Sequence, residues 1–148
     1  MCGIAGAVCL DGGPEAQGLV EAVVASQRAR GPDHEAVQTL PESAARVVLG
    51  HSRLKILDLS AESDQPLWDH EGRLCLVYNG EVYNYRELRD ELKARGHTFR
   101  STGDAEVILE AYKAWGTAAF ERFNGMFAFG LWDRDAARFL LVRDRFGI

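Results

Sequence analysis

A cysteine stands at position 2, directly behind Met1, in the run MCGIAGAVCL. If Met1 is removed, Cys2 carries a thiol and a free α-amine on one residue. A free α-amine titrates at about 7.7–8.0, so near neutral pH it can take the thiol proton. Nucleophile and base then belong to the same residue. The competing reading makes Cys2 simply the first residue of a strand. A scheme with His51 as base to a cysteine ranks below these, because a lone His in a strand is more often a core or surface residue.

Four further positions could complete a reaction centre. Arg53 interrupts the otherwise apolar HSRLKILDL (His51 to Leu59). An Arg turned into a cleft can hold a carboxylate in a bidentate pair, whereas an exposed Arg or a structural ion pair is the plainer reading. In LVYNGEVYNY (Leu76 to Tyr85), Asn79-Gly80 is a strong hairpin signal. The Asn79 amide and the Gly80 N–H could equally be aimed at a developing oxyanion, and a turn could itself present both donors. Asp104 opens a helix in STGDAEVIL (Ser101 to Leu109). It could be an N-cap or a carboxylate for a substrate ammonium. Glu81 is a further acidic candidate. Together the set suits a free α-amino acid whose side-chain carbonyl is attacked.

These residues must be positioned by secondary structure. The pattern predicts a strand over Gly3 to Leu10, a turn at DGGP (Asp11 to Pro14) and a helix over about Glu15 to Arg28. Leu19, Val20, Val23 and Val24 form the apolar face of that helix. RGPD (Arg30 to Asp33) ends it, because Pro32 disfavours helix at Gly31. Strands follow near Arg46 to Leu54 and Leu74 to Tyr78. A helix over Tyr85 to Arg95 has Asn84 as its cap, Glu87 three residues on, and Gly96 as its stop. Tyr85, Leu88 and Leu92 share its apolar face. The next helix, Ala105 to Trp115, has Val107, Ile108, Ala111, Tyr112 and Trp115 on its apolar side. Two last strands are Gly125 to Asp133 and Ala137 to Arg145. Phe127, Phe129 and Leu131 lie on one face of the first, Met126, Ala128 and Trp132 on the other, so that strand is covered on both sides. Two-faced strands and few helices imply an α+β fold with sheets packed on each other and helices outside.

The 148 residues suffice for one domain with its own core. A net charge of −5 without a Lys/Arg run argues against a nucleic-acid partner. No apolar run approaches the length of a membrane span, and no signal peptide precedes the first strand, so a cytoplasmic location is expected. Cys2, Cys9 and Cys75 are odd in number and widely spaced, which suits neither a disulfide framework nor a zinc site. Cys9 and Cys75 read as small buried hydrophobes.

MCGIAG, RGPD, HSRLKILDL, YNGEVYNY, GDAEVIL, GMFAFGLWD and RDRFG occur in this order. The set closely resembles the N-terminal glutaminase domain of glutamine-hydrolysing asparagine synthetases, which are class II glutamine amidotransferases. The resemblance implies an N-terminal-nucleophile hydrolase fold: a four-layer α/β/β/α sandwich with two mainly antiparallel sheets between helices. It implies glutamine as substrate, attacked by Cys2 to give a glutamyl thioester that water resolves to glutamate. By the same resemblance, Arg53 grips the α-carboxylate and Asp104 holds the α-ammonium, with Glu81 nearby. Asn79 and Gly80 form the oxyanion hole, and the Leu54 to Ile56 backbone lines the pocket. The family often has His before RGPD, where this chain has Ala29. No metal or cofactor is expected in the glutaminase domain. ATP and Mg2+ belong to a C-terminal synthetase domain that makes asparagine from aspartate.

The expectation is therefore one glutaminase domain over residues 1–148, truncated at its C-terminus, without the synthetase domain. Two other readings remain: an asparagine-synthetase-like amidotransferase with another acceptor, and a non-catalytic glutamine-binding or interaction module if Met1 is retained. Oligomeric state is not legible.

Overall fold

The computed structural model describes residues 2–10, 15–40 and 46–147. The DGGP turn expected at Asp11 to Pro14, and Met1 itself, lie outside the described residues. The order of elements is β1 (Gly3–Cys9), α1 (Ala16–Ser26), β2 (His34–Thr39), β3 (Arg46–Arg53), β4 (Leu67–Trp68), β5 (Leu74–Val82), α2 (Tyr85–Ala94), α3 (Ala105–Trp115), β6 (Gly125–Asp133) and β7 (Arg138–Arg143). Short 3₁₀ turns occupy Ala61–Ser63 and Gly116–Arg122.

The strands form two antiparallel sheets, ordered β1-β3-β2 and β4-β5-β6-β7. Alternation along each central strand explains the layering. On β3, Val47 and Leu49 meet Cys75, Val77 and Trp132 of the second sheet. Val48 turns the other way, onto Ala16, Val20 and Val24 of α1. On β5 and β6, Leu76, Tyr78, Phe127, Phe129 and Leu131 pack beneath α2 and α3. The result is a four-layer α/β/β/α sandwich, in which both central sheets are apolar on two faces.

Several expectations change on contact with the fold. Leu19 is exposed, so the buried stripe of α1 is Ala16, Val20 and Val24. The strand β2 was not anticipated, because HEAVQT offers few apolar residues at period two. Asn79-Gly80 is not a turn: β5 runs straight through it to Val82, paired with β6 along its whole length. Asn84 holds the N-cap position of α2, but its side chain makes no capping hydrogen bond. Its side chain bridges instead to the Arg122 carbonyl (3.0 Å) and the Asn124 N–H (2.9 Å). The helix α3 is buried around most of its circumference. Its buried Glu106 accepts hydrogen bonds from the Arg100 and Ser101 backbone, and Glu110 meets His97 at 2.6 Å.

Candidate active site

The register of β1 on β3 places the first two functional groups side by side. Gly3 pairs with Ser52, so Cys2 falls opposite the end of β3 at Arg53 and Leu54. Both side chains then face the second sheet at one end of the sandwich. The Leu54 N–H donates to Cys2 Sγ at 3.3 Å, and Sγ lies 3.7 Å from the Leu54 carbonyl. These contacts hold the sulfur of Cys2, which lines a cavity of about 210 Å³.

RGPD holds this corner together. Arg30 Nε donates to the Cys2 carbonyl at 3.3 Å. The Asp33 N–H donates to the Arg53 carbonyl (3.0 Å), and the Asp33 carboxylate accepts from the Lys55 N–H (2.8 Å). A Cβ on Gly31 would lie 2.2 Å from the Ser52 carbonyl oxygen, so only glycine lets the two backbones pass. The motif thus straps the backbones of Cys2, Arg53 and Lys55 into one frame.

The second sheet contributes an open edge. Tyr83 bonds to Asn124 opposite it, which sets the odd-numbered residues of β5 toward β6. The even-numbered N–H groups turn the other way. Among the described residues, no strand beyond the two residues of β4 covers that edge. Gln65 Oε1 accepts the Tyr78 N–H at 2.6 Å, and Asp104 Oδ2 accepts the Val82 N–H at 2.9 Å. The Gly80 N–H lies between them on the same edge, and Gly80 lines the cavity. Gly80 has φ +147°, and a Cβ there would sit 2.1 Å from the Met126 carbonyl oxygen. Asn79 lines the same cavity, with a buried Oδ1 that has no hydrogen-bond partner among the described residues.

Asp104 precedes α3, but its side chain makes no capping hydrogen bond to the helix. Its Oδ2 takes the Tyr78 hydroxyl at 2.5 Å together with the Val82 N–H. Burial pushes its carboxyl above the usual carboxylate range, against the hydrogen bonds from Tyr78 and Val82. Burial and the neighbouring Asp104 charge push the Tyr78 hydroxyl up, which keeps it a proton donor.

Arg53 is buried at the same cavity. Its guanidinium donates to the carbonyls of Ser60 (2.8 Å) and Asp58 and pairs with Asp64. Asp58 in turn ties the segment after β3 to the segment before α3. Its carboxylate accepts the Thr102 N–H (2.6 Å), the Thr102 hydroxyl (3.0 Å) and the Ser60 N–H (2.8 Å). Burial opposes ionisation of Asp58, but those hydrogen bonds prevail and hold it well below the usual carboxylate range.

All eight residues expected at a site, Cys2, Arg53, Leu54, Ile56, Asn79, Gly80, Glu81 and Asp104, line this one cavity. Asp58, Ser63, Gln65 and Tyr78 line it too and were not anticipated. Tyr78 and Asp58 stand inside quoted motifs as polar groups among core positions, which was the available signal. Ser63 and Gln65 carried none. His51 is not among the lining residues. It is fully buried, and its Nε2 hydrogen-bonds the Tyr78 carbonyl at 3.0 Å. Burial pushes its imidazole down to about 4, so near neutral pH it is an uncharged link between the sheets rather than a base for Cys2. Among the described residues no cluster of His, Cys, Asp and Glu could hold a metal ion.

The whole chain, residues 1–148, matches the family model described as a glutamine amidotransferase domain. A Mycobacterium bovis protein named putative asparagine synthetase [glutamine-hydrolyzing] is 42% identical over 100% of this chain and 24% of its own length. An Arabidopsis thaliana protein named asparagine synthetase [glutamine-hydrolyzing] 2 is 34% identical over 100% of this chain and 25% of its own. The chain thus spans about a quarter of the length of these curated relatives. The solved glutamine phosphoribosylpyrophosphate amidotransferase of Bacillus subtilis superposes with a TM-score of 0.79 at 20% identity, over 99% of this chain and 38% of that one. That likeness shows that the two chains share this sandwich fold. The chain belongs to the glutamine amidotransferase domain family.

Proposed function

We propose that this domain hydrolyses the side-chain amide of glutamine through a thioester on Cys2. The observation that carries the reading is the Cys2 sulfur, held by the Leu54 N–H at 3.3 Å, in the cavity that Arg53, Asn79, Gly80 and Asp104 also line. With Met1 removed, the Cys2 α-amine takes the thiol proton and the sulfur attacks the amide carbon. The Asn79 amide and the Gly80 N–H stabilise the oxyanion that forms. The C–N bond then breaks, and ammonia leaves with the proton held by the α-amine. Water attacks the thioester, releases glutamate and restores the thiol. Arg53 pairs with the α-carboxylate and Asp104 with the α-ammonium, and Glu81 adds negative charge on the Asp104 side.

The hydrolysis calls for no metal or cofactor. In a protein as long as the relatives, the ammonia would serve ATP- and Mg2+-dependent conversion of aspartate to asparagine in a separate synthetase domain. The relatives' names support that acceptor. A cytoplasmic setting belongs to the same proposal and is supported by three free cysteines.

Intact mass before and after exposure to a diazo-ketone analogue of glutamine tests the reading. Loss of Met1 and one adduct on Cys2, together with glutamate release from glutamine, is the expected result. Retained Met1 with no adduct and no glutamate would overturn it.

A further inference from the structure

Ser63 ends the 3₁₀ turn Ala61–Ser63 and lines the Cys2 cavity, yet its buried hydroxyl has no hydrogen-bond partner among the described residues. A buried polar group left unpaired is costly, so a side chain held this way needs a reason. It is not there by looseness of the segment. Arg53 grips the Ser60 carbonyl, Asp58 grips the Ser60 N–H, and the Asp64 N–H closes onto the Ala61 carbonyl at 3.0 Å. The turn is therefore anchored before and after Ser63. Across the cavity wall stands Gly103, where a Cβ would come within 3.2 Å of Ser63 Oγ. Gly103 precedes Asp104, and Arg89 holds its carbonyl at 2.5 Å. The anchored turn thus sets the hydroxyl beside the backbone that carries Asp104.

We propose that Ser63 is a specificity-determining residue whose hydroxyl accepts a hydrogen bond from the substrate α-ammonium, alongside Asp104. The assignment rests on the glutaminase reading. A serine oxygen suits this place, because an ammonium offers three donors and Asp104 Oδ2 is already shared between Tyr78 and Val82. Ser63 would thereby favour α-amino acids over amides that bear only a carboxylate.

The test compares wild type with Ser63→Ala, using glutamine and glutaramate, the same amide without the α-amino group. A hydrogen bond to a charged group predicts that Ser63→Ala raises KM for glutamine by about tenfold. The proposal further predicts that kcat is unchanged and that glutaramate kinetics are unaltered. Melting temperature supplies the second readout. Removing an unpaired buried hydroxyl leaves it unchanged or raises it, whereas a structural serine would lower it. Equal losses on both substrates, no loss on glutamine, or a lowered melting temperature would each overturn the assignment. Absence of any glutamine hydrolysis in the wild type would instead overturn the glutaminase reading, and this assignment with it.

Discussion

The Tyr78 hydroxyl donates to Asp104 Oδ2 at 2.5 Å across the open edge of β5. This bond joins the strand that presents Gly80 to the residue that opens α3, so the Gly80 and Asp104 ends of the cavity share one support. It also favours the ionised form of Asp104, opposing the burial that pushes the carboxyl up. In Tyr78→Phe that support is gone, and the Asp104 carboxyl rises further. If ionised Asp104 holds the substrate ammonium, the acid limb of kcat/KM for glutamine moves to higher pH in the variant. Loss of a hydrogen bond to a charged group predicts a fall of about tenfold on that limb. A pH–rate profile that superposes on the wild type would show that Asp104 does not act in this way.

Gly80 combines a positive φ with an approach to Met126 that leaves no room for a methyl group. The contact is to backbone within the β5–β6 ladder, so it cannot be relieved by a side-chain rotation. Gly80→Ala is expected to destabilise the domain by ~2 kcal/mol or more. Urea unfolding would show this as a lowered midpoint. Residual folded protein should lose glutamine hydrolysis by a larger factor than it loses stability, because the displaced N–H is an oxyanion donor in the proposed mechanism.

His51 gives the domain an acid-sensitive tie. Its folded imidazole stays neutral down to about 4, because it is buried. In the unfolded chain an ordinary His takes up its proton near about 6.5. Between these values the unfolded state binds more protons, so stability falls as pH drops. The contribution is fully present above about 6.5 and is reduced by on the order of 3 kcal/mol at the folded value. His51→Gln should flatten the stability profile over that window. Denaturant midpoints measured at pH 7, 6, 5 and 4 would check it, and equal slopes for both proteins would refute it.

Local patterns were legible where burial is strong and continuous. The helix over Ala105–Trp115 and the strand over Gly125–Asp133 form with the expected bounds, because both are apolar enough that tertiary context agrees with their periodicity. The expectation of sheets packed on each other with helices outside also holds, since two-faced strands must be covered twice. Where local and long-range forces disagreed, the long-range ones prevailed. Asn79-Gly80 carries a strong hairpin signal, yet pairing with Ala128 and Phe127 draws it into a continuous strand. Asn84 had the right chemistry for a helix cap, but two partners from the Arg122–Asn124 segment claim its amide.

The residue types expected at the proposed site are legible in one chain. The sequence supplied a thiol at position 2, a lone Arg at the end of an apolar strand, an Asn-Gly pair and an Asp before a helix. Those identities depend on residue type and motif order, which a single chain displays. Only the tertiary structure decided how they meet. Opposing Gly3 to Ser52 brings Cys2 to Leu54, 52 positions away, and the open edge of β5 brings Tyr78 and Val82 to Asp104. The same folding placed Ser63 and Gln65 in the wall and took His51 out of it. Strand register and sheet-on-sheet packing are set by contacts between residues far apart in the chain, and those contacts leave no periodic trace in the local sequence.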